Sequence, residues 1–172
     1  MTYISNIFIF LQRNEKKTTL GIISESQGAI LYSISFEKDG TTEFEKFVLE
    51  FESNAQYNSD YQRIIAALQA ILDNGALERF FRPEGKINDN VHAIPIDGGK
   101  LRLYCLRISE QIIILGNGGV KSTRSYQESP KLYGYVLDLQ RFEKILKENM
   151  EKGYISVDEK ELCGSDNIIF EI

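Results

Sequence analysis

A chain of 172 residues, 42% hydrophobic and 26% charged, has the composition of an ordinary globular domain with a core of its own. Two cysteines, one histidine and no CxxC pair are too few for a Cys/His zinc site, and no apolar run approaches the roughly 20 residues of a membrane helix. The net charge of −5 hides a basic middle, where nine positive residues face six negative ones between Ala76 and Lys131, and such a patch suits a bound polyanion.

The first 28 residues carry the weakest pattern. Tyr3 to Leu11 is strand-like, Asn14-Glu15-Lys16-Lys17 reads as a turn, and Leu20 to Ile23 as a short partner strand. Residues 1–28 are therefore expected as an added hairpin or a loosely held extension. The apolar run Ile7 to Leu11 is too short for a secretion signal and follows no positive segment, so the expected location is the cytoplasm.

Ala29 to Glu37 alternates as a strand and closes at Lys38-Asp39-Gly40. In Thr41 to Glu52, Phe44, Phe47, Val48 and Phe51 recur at helical spacing, and Thr42 with Glu45 fits a capping box, in which each side chain satisfies an orphan N–H. A second helix is expected from about Ser59 to Asn74, with Ser59 and Gln62 as another capping box and Gly75 as its left-handed stop. Two helices joined this closely form an antiparallel hairpin that can lie across a sheet. Leu77 to Asn90 reads as a loop docked by Phe80 and Phe81, and Val91 to Ile96 as a short strand in which Pro95 favours an edge.

The strongest hairpin signal follows. Lys100 to Ile108 and Gln111 to Gly116 are strand-length runs joined at Ser109-Glu110, and Gly116-Asn117-Gly118-Gly119 is expected to break the second. Arg102, Tyr104, Leu106 and Ile108 share one face, expected to be open and concave, while Leu101, Leu103, Cys105 and Arg107 share the other, expected to be buried. Lys121 to Pro130 is polar. A helix is expected from Asp138 to Glu151, with Glu143, Lys147 and Glu151 forming i,i+4 pairs on a solvated face. Ser156 to Ile172 is an acidic tail that ends in a strand over Asn167 to Glu171. The whole reads as one α+β domain with a core over residues 29–152 and a tail over 153–172.

Lys100, Arg102, Arg107, Lys121 and Arg124 decorate the hairpin and its exit, with Tyr104 and Tyr126 among them. Cations and tyrosines on a rigid sheet can hold a phosphate-rich ligand, while the plainer reading is a solvated sheet edge. His92 reads as a structural strand residue and Cys105 as a small core residue. The chain contains no P-loop, no GxGxxG after a strand, no HExxH and no EF-hand loop.

The element order, together with Arg102-Leu103-Tyr104, Ile112 to Leu115, Lys121 to Thr123 and Glu128-Ser129-Pro130, resembles the RelE/ParE-like toxin superfamily, in the branch of the HigB and phage-encoded toxins. The resemblance covers roughly residues 29–150. It implies a RelE-like arrangement: a two-helix hairpin packed on a small, mainly antiparallel twisted sheet, with a C-terminal helix and, here, an extra N-terminal hairpin. It further implies a ribosome-dependent mRNA endonuclease without metal or cofactor, neutralised by a cognate antitoxin, expected to be of helix-turn-helix type. In such a site Arg102 and Lys121 would hold the phosphate, and Tyr126 would act as general base or acid. Arg79, Arg82, Lys86, Lys100, Tyr104, Arg107 and Arg124 would contact the RNA. The chain departs from the family in its acidic balance and its longer ends.

Overall fold

A computed structural model describes residues 16–36, 40–85, 89–94 and 96–172, with the backbone alone at Asn167. The features expected at Tyr3 to Leu11, Lys38-Asp39, Lys86 and Pro95 lie outside the described residues. The described elements run β1 (Lys17–Glu25), β2 (Ile30–Phe36), α1 (Glu43–Phe51), α2 (Asn58–Asn74), β3 (Arg82–Pro83), β4 (Val91–Ala93), β5 (Leu101–Arg107), β6 (Ile112–Val120), α3 (Pro130–Glu151), β7 (Ser156–Val157), β8 (Leu162–Cys163) and β9 (Phe170–Glu171). Seven strands form one sheet in the order β3-β4-β5-β6-β2-β1-β9, antiparallel throughout except for the parallel pair β2/β6, and β7 pairs with β8 alone. The fold is therefore α+β with a mainly antiparallel sheet and, among the described residues, three α-helices, and the sheet is larger than the small one expected. None of the described helices is long and apolar enough to cross a membrane.

Both faces of the sheet are covered. On one, the stripe Phe44, Phe47 and Phe51 of α1 and Ile64, Leu68 and Ile71 of α2 pack on Leu101, Leu103, Cys105, Ile113 and Leu115. On the other, Leu132, Val136, Leu139, Phe142 and Leu146 of α3 pack on Tyr32, Tyr104, Leu106, Ile112 and Ile114. This second core overturns the expected open side of β5: Tyr104 and Leu106 are fully buried because α3 lies over them. The helix begins eight residues earlier than the apolar pattern indicates. Ser129 caps it by accepting from Leu132 N–H at 3.4 Å, and Pro130 occupies the first turn, where its missing N–H costs nothing.

Strand β6 likewise runs on through the four residues expected to break it. Its glycines permit close approach. A side chain on Gly116 would press on Leu139, and one on Gly118 would overlap the Arg102 carbonyl. At the end of α2, Gly75 has φ 91° but an extended ψ of 164°, so it stops the helix without adopting the left-handed helical conformation. The capping box of Thr42 and Glu45 is present, while α2 starts at Asn58 with no side-chain cap. Asp60 instead reaches across to accept from Lys100 N–H and Leu101 N–H at 2.7 and 3.1 Å, fixing the start of β5. Glu143, expected on a solvated face, is buried: it accepts from the backbone and side chain of Asn90 and pairs with Lys147 at 2.8 Å.

Strand β1 and the tail are integral. Strand β1 pairs along β2, and β9 pairs with β1, where Lys16 and Ile172 exchange backbone hydrogen bonds of 2.8 and 3.1 Å. Phe170 packs at a tilt against Phe142, with ring centroids 4.7 Å apart, and Leu162 N–H donates to the Tyr32 hydroxyl at 3.1 Å. These contacts bury apolar residues that the acidic composition of the tail obscures.

Candidate functional site

Residues paired across antiparallel strands share a sheet face. Arg102 pairs with Gly119, and the side-chain direction at Gly119 runs toward Leu132 and Lys131 of α3. Arg102 therefore belongs to the α3 side, as does Tyr104 two residues on. Lys121 lies two residues beyond Gly119, a diagonal step of roughly 7–8 Å from Arg102, and its N–H donates to Lys100 O at 2.8 Å. Arg82 pairs with Ala93, which pairs with Tyr104, so these three form one row across the sheet. The turn before α3 then carries Tyr126 onto Tyr104, with ring centroids 6.3 Å apart and nearly edge to face.

Arg102 and Lys121 are half-buried, whereas Arg82, Lys100 and Arg124 are exposed. Part of the Arg102 guanidinium is already engaged: Nη1 donates to the carbonyls of Gly99 and Leu101, each at 2.9 Å. Burial pushes the Tyr104 phenol well above its usual pKa; the charge of Glu84 pushes the same way, and that of Arg102 opposes it. Its hydroxyl is buried and has no hydrogen-bond partner among the described residues. Burial also raises the Tyr126 phenol, a hydrogen bond with the Gln127 side chain lowers it, and the charges of Asp89 and Glu84 raise it further. Tyr126 thus stays protonated near neutral pH and is disposed to give a proton, not to take one.

The remaining cations are placed elsewhere. Arg107 lies on the opposite face, where Nε donates to Ala76 O at 2.7 Å and the guanidinium sits 6.0 Å over the Phe81 ring. Arg79 lies over Phe80 at 5.1 Å and, with Arg63, Ile96 and Asp97, lines a shallow cleft of about 460 Å³ beside α2. His92 sits in β4 with Nδ1 2.6 Å from Asn90 O, and Cys105 is fully buried.

Two residues at the start of α3 did not emerge as site residues from the sequence pattern. Lys131 Nζ lies beside Gly119 and bonds to Glu50 at 2.9 Å, and Tyr133 stacks on Tyr126 with centroids 6.4 Å apart. The signal that locates both is Ser129-Pro130 as a helix start, which puts Lys131 and Tyr133 in the first turn of α3. Comparison with protein-family models, with curated proteins and with solved structures found no match to this chain.

Proposed function

We propose that this chain is the toxin of a type II toxin–antitoxin pair, a RelE-like, ribosome-dependent mRNA endonuclease that uses the RNA's own 2′-hydroxyl. The observation that carries the proposal is the 6.3 Å contact between Tyr126 and Tyr104, which sets a protonated phenol beside the strand bearing Arg102, with Lys121 one diagonal step away. The element order β2-α1-α2-β4-β5-β6-α3 supports the same reading. In the reaction the 2′-oxygen bonds to phosphorus as the bond to the 5′-oxygen breaks, leaving a 2′,3′-cyclic phosphate. The 2′ proton passes to water and Tyr126 protonates the departing 5′-oxygen. Arg102 and Lys121 stabilise charge that grows on the phosphoryl oxygens, the larger part of such catalysis. The partners on this reading are mRNA on the ribosome and an antitoxin, expected to be of helix-turn-helix type, that silences the site.

A second reading is a RelE-fold module that binds nucleic acid or protein without cutting. It is favoured by the Arg102 hydrogen bonds to two carbonyls, which use part of the guanidinium for structure. The deciding experiment is inducible expression in a bacterial host of the wild type and of the Arg102→Ala/Lys121→Ala double variant, with growth and mRNA ends followed together. Arrest with new mRNA ends, lost in the variant at equal soluble level, is the expected result. Soluble wild-type protein that neither arrests growth nor creates ends overturns the nuclease and leaves the binding module.

A further inference from the structure

Three tyrosines form a series graded from core to solvent. Tyr104 is fully buried, Tyr126 is 9% exposed and Tyr133 is 44% exposed. Tyr126 meets Tyr104 nearly edge-on, with an interplanar angle of 62°, and lies almost parallel to Tyr133, at 18°. Each ring is braced by the one beneath it, and the last presents its remaining surface to water. Tyr154, exposed to 64%, has no such ring contact among the described residues.

A solvent-facing ring backed by a second ring loses little freedom when a flat ligand settles on it. Nucleobases are flat, and a base stacked on an aromatic side chain gains about 1–3 kcal/mol whatever its identity. The bases of a duplex are already stacked on one another, so such a platform selects single strands.

The charges around it suit a phosphate backbone. Lys131 stands two residues earlier in the same helix, Arg102 on the strand below, and Lys121 and Arg124 in the segment that leads to Tyr126. The first turn of α3 carries no acidic residue, and a helix of 22 residues adds partial positive charge there. Against these stand Glu50, which pairs with Lys131 at 2.9 Å, Glu84 and Asp89, whose charges reach Tyr126, and Glu128 in the turn. Of these, Glu84 and Asp89 act on the inner phenol of Tyr126.

We propose that Tyr133 is a nucleobase platform that makes this face select single-stranded RNA, stacking a base that neighbours the phosphate held by Arg102 and Lys121. The position of that phosphate rests on the reading given above; the stacking does not require that the RNA be cut.

The test is fluorescence anisotropy at fixed salt with a short, labelled single-stranded RNA carrying 2′-methoxy groups, which cannot attack. Its abasic counterpart and its duplex serve as companion probes. Wild type, Tyr133→Phe, Tyr133→Leu and Tyr133→Ala are compared. Leucine keeps apolar cover over Tyr126 without a ring face, and circular dichroism checks the fold of each variant. Phenylalanine is expected to bind within about twofold of wild type, and leucine and alanine roughly five- to hundredfold more weakly. An abasic site should weaken the wild type but add nothing to the alanine variant, and the duplex should bind less well than the single strand.

Folded leucine and alanine variants that bind like wild type overturn the platform, as does an abasic penalty that persists without Tyr133. Wild type that binds none of the probes overturns it as well. Binding that fails in Arg102→Ala/Lys121→Ala but not in Tyr133→Ala sinks the platform and keeps the phosphate site. Binding that depends on Tyr133 in a protein that never cleaves mRNA in the host keeps the platform and sinks the nuclease.

Discussion

The Tyr104 hydroxyl offers the sharpest test of the core beneath the site. It is buried with no partner among the described residues, so the fold bears the desolvation of a hydroxyl without the hydrogen bond that normally offsets it. That imbalance costs about 1–3 kcal/mol, and a phenyl ring of the same shape removes it while keeping the packing. Tyr104→Phe is therefore expected to raise unfolding stability by about 1–2 kcal/mol, which for a domain of this length raises the melting temperature by roughly 2–8 °C. Urea unfolding gives the free energy, and an unchanged dependence on denaturant shows that the two end states are comparable. A variant less stable than wild type would mean that the hydroxyl is satisfied in solution, and the account of its raised pKa would fall with it. A variant that is stabilised yet loses RNA binding would assign the unpaired hydroxyl to the site.

Other substitutions probe the same architecture. Gly118→Ala would drive a methyl group into the Arg102 carbonyl and is expected to cost at least ~3 kcal/mol by thermal unfolding. Gly134→Ala meets nothing nearby in α3 and should stabilise by about 0.5–1 kcal/mol, so equal effects at the two positions would refute the packing described for β6. Glu143→Ala removes the acceptor of Asn90 and the partner of Lys147 and should lose about 2–4 kcal/mol, and a neutral result would contradict its burial. Asp138 is buried against Lys16 at 2.8 Å, and desolvation holds its pKa above the usual carboxylate value even though the Lys16 pairing lowers it. The folded chain thus keeps a proton that the unfolded chain has lost, and stability should fall as pH rises from about 4 through the raised pKa. Asp138→Asn should flatten that slope in a series of urea titrations, and parallel curves for the two proteins would refute it.

Much of the α1/α2 side was legible because its signals are local. Thr42 and Glu45 satisfy each other three residues apart, and the spacing of Phe44, Phe47 and Phe51 needs no knowledge of the rest of the chain. What escaped depends on distant partners. Arg102 and Arg107 make β5 look half-solvated, yet α3 lands on it from some thirty residues further along the chain. The glycines of β6 look like breakers until Leu139 and the Arg102 carbonyl are placed against them. The start of α3 was hidden by a polar first turn, although Ser129-Pro130 announces it locally. The cations of the site and the split of Arg102 and Arg107 between the two faces of β5 could be read from strand alternation, but the pairing of Arg102 with Gly119 of β6 and the helix over that face could not.

The parallel pairing of β2 with β6 also bears on how the chain reaches this state. Strands β1 and β2 are near neighbours in sequence, as are β5 and β6, so each hairpin can form by closing a short loop. Among the described strands the two are joined by the β2/β6 pairing, where the Ser33 hydroxyl donates to Leu115 O across 82 residues and also accepts from the first turn of α1. The entropy of closing so long a loop must be met before that seam returns any stability. The seam is thus the place where two locally assembled halves dock, and Ser33 fastens both halves and the helix hairpin in one contact.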